Sequence, residues 1–258
     1  MKPLVACIKA EMVKFRKSWP LLTAILAPVC QVGFISILFW YSEGVVARFR
    51  PGYRFWLELN FAAWNLFVLP VIAALVSDLS WAQDRDALAW RHLLAQPVTK
   101  LNQYLAKLFN HLLVFLFSLT LLFVLMLLAG TILKQNEALN MGPLDIALYF
   151  KLFLFSTIAF IPAVTFQTWF SFRFPGPGPA LGVALVGVWA ALKAIGVAFL
   201  AQFLPWGLSC YSAMAFERYR FSLPWNYCYG AMALAIILIL IGSLDFTNHA
   251  FIKSLEKN

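Results

Sequence analysis

The 258-residue chain is 62% hydrophobic and only 12% charged, with a formal charge of +9 from 20 Lys+Arg against 11 Asp+Glu. Its mean hydropathy is +0.80, and one soluble core of this size does not hide that much apolar surface, so part of its solvent has to be lipid. Basic residues beside apolar runs then serve topology and anionic headgroups, which excludes nucleic acid as the partner.

Residues 1–20 come first. Leu4, Ile8, Met12, Phe15 and Trp19 recur at steps of four, four, three and four, while Lys9, Lys14 and Lys17 point elsewhere. The pattern predicts an amphipathic helix lying along the membrane surface. Trp19-Pro20 ends it and opens the first span, since proline suits a first helical turn.

Residues 21–243 hold six apolar stretches of spanning length: Leu21–Tyr41, Trp56–Val76, His111–Leu133, Ile146–Phe170, Leu181–Leu204 and Trp225–Ser243. The fold class is therefore an all-α membrane protein of six transmembrane helices. With the N-terminus inside, twelve Lys and Arg fall on inside segments and seven on outside ones, Lys193 lying within a span. This bias puts both termini inside, leaving 244–258 as a cytoplasmic tail.

The largest inside connector, 77–108, follows span two. On a helical projection Leu79, Trp90, Leu93 and Leu94 share one face and Trp81 and Leu88 the other, with Asp84, Arg85, Asp86 and Arg91 between. Large apolar residues on two sides of a charged helix suit an element held between the membrane base and a soluble partner. A helix folded back onto headgroups is the alternative. Pro97 then breaks the helix, and "TKLNQYLAK" starts the next.

Pro162 should kink span four, and "RFPGPGPALG" makes a stiff corner into span five. In span five Ala184, Gly187, Ala191, Ala194, Ala198 and Ala201 form a strip of small side chains, a packing face within the bundle or against another subunit. Lys193 lies on roughly the opposite side, near Trp189. Counted from Ala180 it is about 20 Å deep, so it needs a cavity, a partner or a lost proton. Lys193, Trp189 and Gln167 are the candidates for a substrate pathway.

No G-x-x-x-x-G-K-[ST], H-E-x-x-H or G-x-S-x-G occurs, so the chain is not expected to hydrolyse nucleotide or act as an enzyme. Histidines 92, 111 and 249 lack ligand spacing, and no metal site is expected. Cys7, Cys30, Cys210 and Cys228 read as small buried residues, with a Cys210–Cys228 disulfide as the alternative.

"EMVKFRKSW", "AAWNLFVLPVIAAL", "WRHLLAQPVTKLNQYLAK", "FQTWFSFRF", Gly182 and "LPW" at Leu204–Trp206 together resemble the type-2 ABC exporter permeases. They are most similar to the branch linked to lantibiotic self-immunity and peptide-antibiotic resistance. "LLAQPV" with Tyr104 and Lys107 is the most specific piece. The family's usual glutamate before that motif is missing; Asp78, Asp84 and Asp86 stand there instead.

The resemblance implies a permease of the bacterial cytoplasmic membrane, paired with a second permease chain over two cytoplasmic ATPase subunits that hold the ATP and magnesium. It implies that the connector docks on the ATPase, through Asp84, Arg85, Asp86, Trp90, Arg91, Leu93 and Leu94. The implied cargo is an amphipathic peptide antibiotic taken from the membrane lipids to the outside. A permease for another hydrophobic or lipid-like substrate and a non-transporting sensor or scaffold subunit are the alternatives.

Overall fold

A computed structural model describes residues 2–41, 52–86, 98–139, 141–194, 203–218 and 225–248. Among them, α1 covers Lys2–Phe15, α2 Trp19–Tyr41 and α3 Tyr53–Ala63; a π-helical turn, Trp64–Val68, joins α3 to α4, Leu69–Asp86. Then come α5 (Lys100–Leu133), a 3-10 turn (Glu137–Leu139), α6 (Ile146–Arg173), α7 (Pro177–Ala194), α8 (Gly207–Arg218) and α9 (Trp225–Asn248). No strand occurs among the described residues. Six helical segments are long and apolar enough to cross a membrane: Trp19–Tyr41, Tyr53–Arg85, Lys100–Leu133, Ile146–Arg173, Pro177–Ala194 and Cys228–Asn248.

The helix ends follow local chemistry. Lys17 adopts a left-handed φ of 58°, and the Ser18 hydroxyl donates to Phe15 O at 2.7 Å, so α1 stops at Phe15, four residues before the Trp19-Pro20 pair expected to end it. Thr99 caps α5 by accepting from Asn102 N–H, and Asp145 caps α6 by accepting from Leu148 N–H at 2.9 Å.

The corner into span five is tighter than the sequence suggested. Gly176 has φ 117°, a region an L side chain rarely enters, and Pro177 takes the first helical position. The Pro-Gly-Pro run thus starts α7 and does not merely interrupt the chain. Pro162 sits inside an unbroken α6.

The second and last rods run furthest past their expected ends. The second runs on from Val76 through Asp86, so Asp78, Trp81 and Asp84 extend the membrane rod and are not part of a separate element. Residues 87–97, with Leu88, Trp90, Arg91, Leu93 and Leu94, lie outside the described residues. The fifth helix is described only to Ala194, and the chain then turns at Leu204–Trp206 into α8, which packs on α3, α6, α7 and the π-turn. The last helix continues to Asn248, five residues beyond the expected end of its span.

At the centre, α4 packs against α2, α6 and α7, while α5 packs against α1 and α2 and α9 against α6. The described part of the small strip of α7 faces inward: Ala184 and Ala191 are fully buried, and a Cβ added at Gly187 would strike the Trp206 ring, while Ala198 and Ala201 lie outside the described residues. It is therefore a packing face within the bundle, where close approach supplies the contact that hydrophobicity does not supply in lipid. Cys210 and Cys228 are buried free thiols, whereas Cys7 is half-buried and Cys30 is exposed, so the expectation of burial fails for Cys30.

Gly187→Val should overpack this contact by about 1–3 kcal/mol and lower the melting temperature of the purified protein. Gly182→Val, where an added Cβ meets nothing within 4 Å, should leave it nearly unchanged. Equal melting temperatures for the two variants would contradict the assignment.

Candidate functional site

Among the described residues, charge is densest where α1 meets the end of α4 and the start of α5. Lys14 Nζ lies 2.6 Å from Glu11 Oε1 and 2.9 Å from Asp84 Oδ1. Lys107 Nζ lies 2.7 Å from Asp84 Oδ2 and 3.1 Å from Glu11 Oε2. Charges alternate around this four-membered ring, so every neighbour is an opposite. The Lys107 and Asp84 side chains are only 4% and 3% exposed, and Glu11 is also buried.

Lys107 receives more than charge. It donates to Ser80 O at 3.2 Å and Ser80 Oγ at 3.1 Å, and stands 4.6 Å from the centroid of the Trp81 ring. Helical spacing explains the convergence. Glu11 and Lys14 are three apart on α1, and Ser80 and Asp84 four apart on α4, so each pair presents one face.

Beneath the ring lies an aromatic floor. Trp81, Tyr104, Phe172 and Phe246 pack with centroids 4.9–5.7 Å apart, joining α4, α5, α6 and α9. Trp81 Nε1 donates to Thr168 O at 2.8 Å. His111 packs edge-on against Phe15 and pairs through Nδ1 with Thr168 Oγ1 at 2.9 Å. That hydroxyl also lies within donating distance of Val164 O, an arrangement that suits donation from His111 Nδ1 to Thr168 Oγ1. Asp78 works beside the ring: its Oδ1 accepts from Arg85 at 3.1 Å and from Gly176 N–H at 2.9 Å, holding the α6–α7 corner to α4.

A cavity of about 220 Å³ opens next to the ring, lined in part by Cys7, Glu11, Lys14, Gln103 and Lys107.

The sequence-derived site residues separate in space. Asp84 is buried in the ring and turned toward α1 and α5, so it holds the connector's root and does not present itself on the outer surface. Arg85 pairs with Asp78. The Asp86 side chain, Trp90, Arg91, Leu93 and Leu94 lie outside the described residues.

The pathway trio does not meet in one cavity. Gln167 is wholly buried and donates to Ala180 O at 2.8 Å, tying α6 to α7. Lys193 instead sits in the last turn of α7 on its exposed side, 5.9 Å from the ring of Trp189, itself 63% exposed. That face is directed away from the bundle, because the inward face is taken by the small strip.

Glu11 and Lys14 were not singled out from sequence as a pair, and Lys107 was noted only for its motif. The signal was a glutamate on the otherwise basic α1. The amphipathic stripe itself divides, since Phe15 is buried against the bundle while Met12 and Trp19 stay exposed.

Removing one member of a buried charge cluster strands its partner, so Asp84→Asn should cost on the order of 3–5 kcal/mol. Asp84→Leu with Lys107→Met should recover part of that loss, giving a coupling energy above about 1 kcal/mol in a double-mutant cycle. Strict additivity would show that the ring does not act as a unit. Burial alone would lower the Lys14 ammonium, but Glu11 and Asp84 more than offset it and hold Lys14 above its ordinary value. A raised folded value means the stabilisation is complete below the unfolded lysine pKa of about 10.4 and is lost as pH rises through the folded value. The melting-temperature gap between wild type and Lys14→Met should therefore be constant from about pH 6 to about pH 9 and narrow only in stronger alkali.

No curated protein matches the chain. A family model described as ABC-2 family transporter protein matches residues 7–191, from α1 through most of α7 and including every member of the ion ring. The chain thus belongs to the ABC-2 transporter family: it is a multi-pass membrane permease of an ABC transporter, of the kind that partners an ABC ATPase and, in bacteria, sits in the inner membrane.

Proposed function

We propose that this permease is the non-catalytic membrane subunit of an exporter that moves an amphipathic peptide antibiotic, of the lantibiotic or bacteriocin kind, out of the membrane. Two copies of a separate cytoplasmic ATPase, holding ATP and magnesium, drive it by engaging the 77–108 connector. The ion ring is the observation that carries this reading. Asp84 stands at the end of the helix entering residues 87–97, and Lys107 stands one helical stretch beyond them. With Glu11 and Lys14 they bind both roots of the connector to each other and to α1. A push on the connector is then borne by three helices together and reaches the long rods α3–α4 and α5.

The orientation follows from the excess of basic residues on the connector side, which puts both termini in the cytoplasm. Val5, Met12, Val13 and Trp19 remain exposed beside Lys9, Arg16 and Lys17, which supports α1 lying in the headgroup layer. The outward face of α7 supports a second permease chain. Lys193 is sixteen residues beyond Pro177, about 24 Å along the helix, and an ammonium turned toward lipid inside an apolar span is costly unless something covers it. A second permease covers it, with the cargo path between the two chains. The choice of a peptide cargo rests on the resemblance of the quoted motifs to the immunity branch.

Affinity-purified permease should carry an ABC ATPase with it and show no ATP hydrolysis alone. Trp90→Asp with Leu94→Asp should release that ATPase while the permease keeps its melting temperature. Retention of the ATPase with undiminished antibiotic tolerance would exclude the connector as the docking element.

A further inference from the structure

Halfway along α2, the bundle holds polar side chains that the ion ring and the connector do not use. Gln31 Nε2 donates to Asn60 O at 2.8 Å. Asn60 Nδ2 turns back to Trp56 O at 3.0 Å, and Asn65 Nδ2 to Phe61 O at 2.9 Å, with Ser156 Oγ further off at 3.5 Å. Spending their donors on backbone leaves Gln31 Oε1, Asn60 Oδ1 and Asn65 Oδ1 buried without a donor, and Trp64 Nε1 without an acceptor. Asn60, Asn65 and Trp64 are essentially inaccessible, and Gln31 is 8% exposed. Each unmet buried group is costly, and more so where no water can reach it. The set surrounds the π-helical turn, a local irregularity that is frequent at functional sites.

Gln31 also lines a groove of about 740 Å³ between α2 and the α3–α4 rod, open on the outer surface of the bundle. Its other walls are almost wholly apolar, among them Phe34, Leu38, Leu59, Phe67 and Val71. Its size is in the range of small-molecule sites, which typically combine apolar walls with a few placed polar groups. The side of the groove joined to Gln31 has acceptors in surplus. A terminal amide turns easily about its last bond, so Gln31 can present its carbonyl to the groove without rebuilding the backbone.

We propose that this groove is a lateral binding site for a single-chain amphiphile whose head group donates a hydrogen bond. The chain lies along Phe34, Leu59 and Phe67, and an amine or hydroxyl head meets the Gln31 carbonyl. Midway through a bilayer such a head has no water, so an amide acceptor there lowers the cost of carrying it across. As a station for exported cargo the site rests on the export reading above; as a binding site it does not.

Cys30 is exposed and lines the same groove, which makes it a native reporter. The full chain, without ATPase, is placed in phosphatidylcholine vesicles, whose head groups carry no donor. Photolabelling of the Cys30 peptide by a diazirine-bearing dodecyl chain is followed by mass spectrometry. Dodecylamine and dodecanol should reduce it about tenfold more than dodecyltrimethylammonium or dodecane, the preference one buried hydrogen bond supplies. Gln31→Met should abolish the preference while all four chains still compete weakly. Val71→Trp, filling the groove from the opposite wall, should abolish protection by every probe, and serves if Gln31→Met does not fold. Equal protection by all four probes, no protection, or a preference that survives either substitution would overturn the proposal. Failure here leaves the connector reading intact, because no ATPase is present; loss of ATPase co-isolation would equally leave this binding intact.

Discussion

Ionised groups withdrawn from water must each meet an opposite charge at close range, and that constraint organises one end of this permease. Glu11, Lys14, Asp84 and Lys107 meet it only when α1, α4 and α5 converge. No two of the three helices satisfy it. The pairing of Glu11 with Lys14 is local to α1, and that of Lys107 with Ser80 and Trp81 reaches α4, but the ring closes only through all three. It therefore fixes where the first amphipathic helix sits and how the two roots of the connector are spaced. The aromatic floor of Trp81, Tyr104, Phe172 and Phe246 extends the same junction to α6 and α9, excluding water and keeping the ion pairs strong.

Away from that end the molecule is held by different means. Lipid offers little drive for helices to associate, so contact depends on close approach and on polar side chains reaching a neighbour's backbone. The small strip of α7 lets α4 and Trp206 come near. Ser118 donates to Ala24 O, Trp56 to Met126 O, Tyr149 to Phe123 O and Gln167 to Ala180 O, each linking two helices. These bonds are few and specific, and they favour rods that move as stiff pieces. The π-turn region also has such a link, from Gln31 to Asn60 O, but its amides spend their donors and leave their acceptors over. Rigid transmission at the charged end and an incompletely satisfied middle are what a transporter needs if force enters at one place and cargo passes at another.

The six rods were legible because length and apolar content are local properties. The depth of Lys193 along its helix was legible for the same reason, but its direction was not. A helical wheel says which residues share a face, and only the neighbours say which face turns inward. The small strip won that choice on α7, sending Lys193 and Trp189 outward. Trp81 and Asp84 were misplaced by the same ambiguity. Charge suggested a separate surface helix, whereas their partners on α1, α5, α6 and α9 draw the second rod past its apolar stretch.

By itself the sequence determined the solvent, the number of spans, the missing nucleotide motif and the resemblance to a transporter family, since each is carried by composition or by short contiguous stretches. Tertiary structure alone decided that Glu11 and Lys14 meet Asp84 and Lys107, that Gln167 ties two helices together, and that three amide oxygens are left over around the π-turn. Such facts join residues from thirteen to seventy or more positions apart, or depend on which of two atoms an amide spends. No local pattern encodes them, because the closing of one bond at a distance sets which groups remain free for the next.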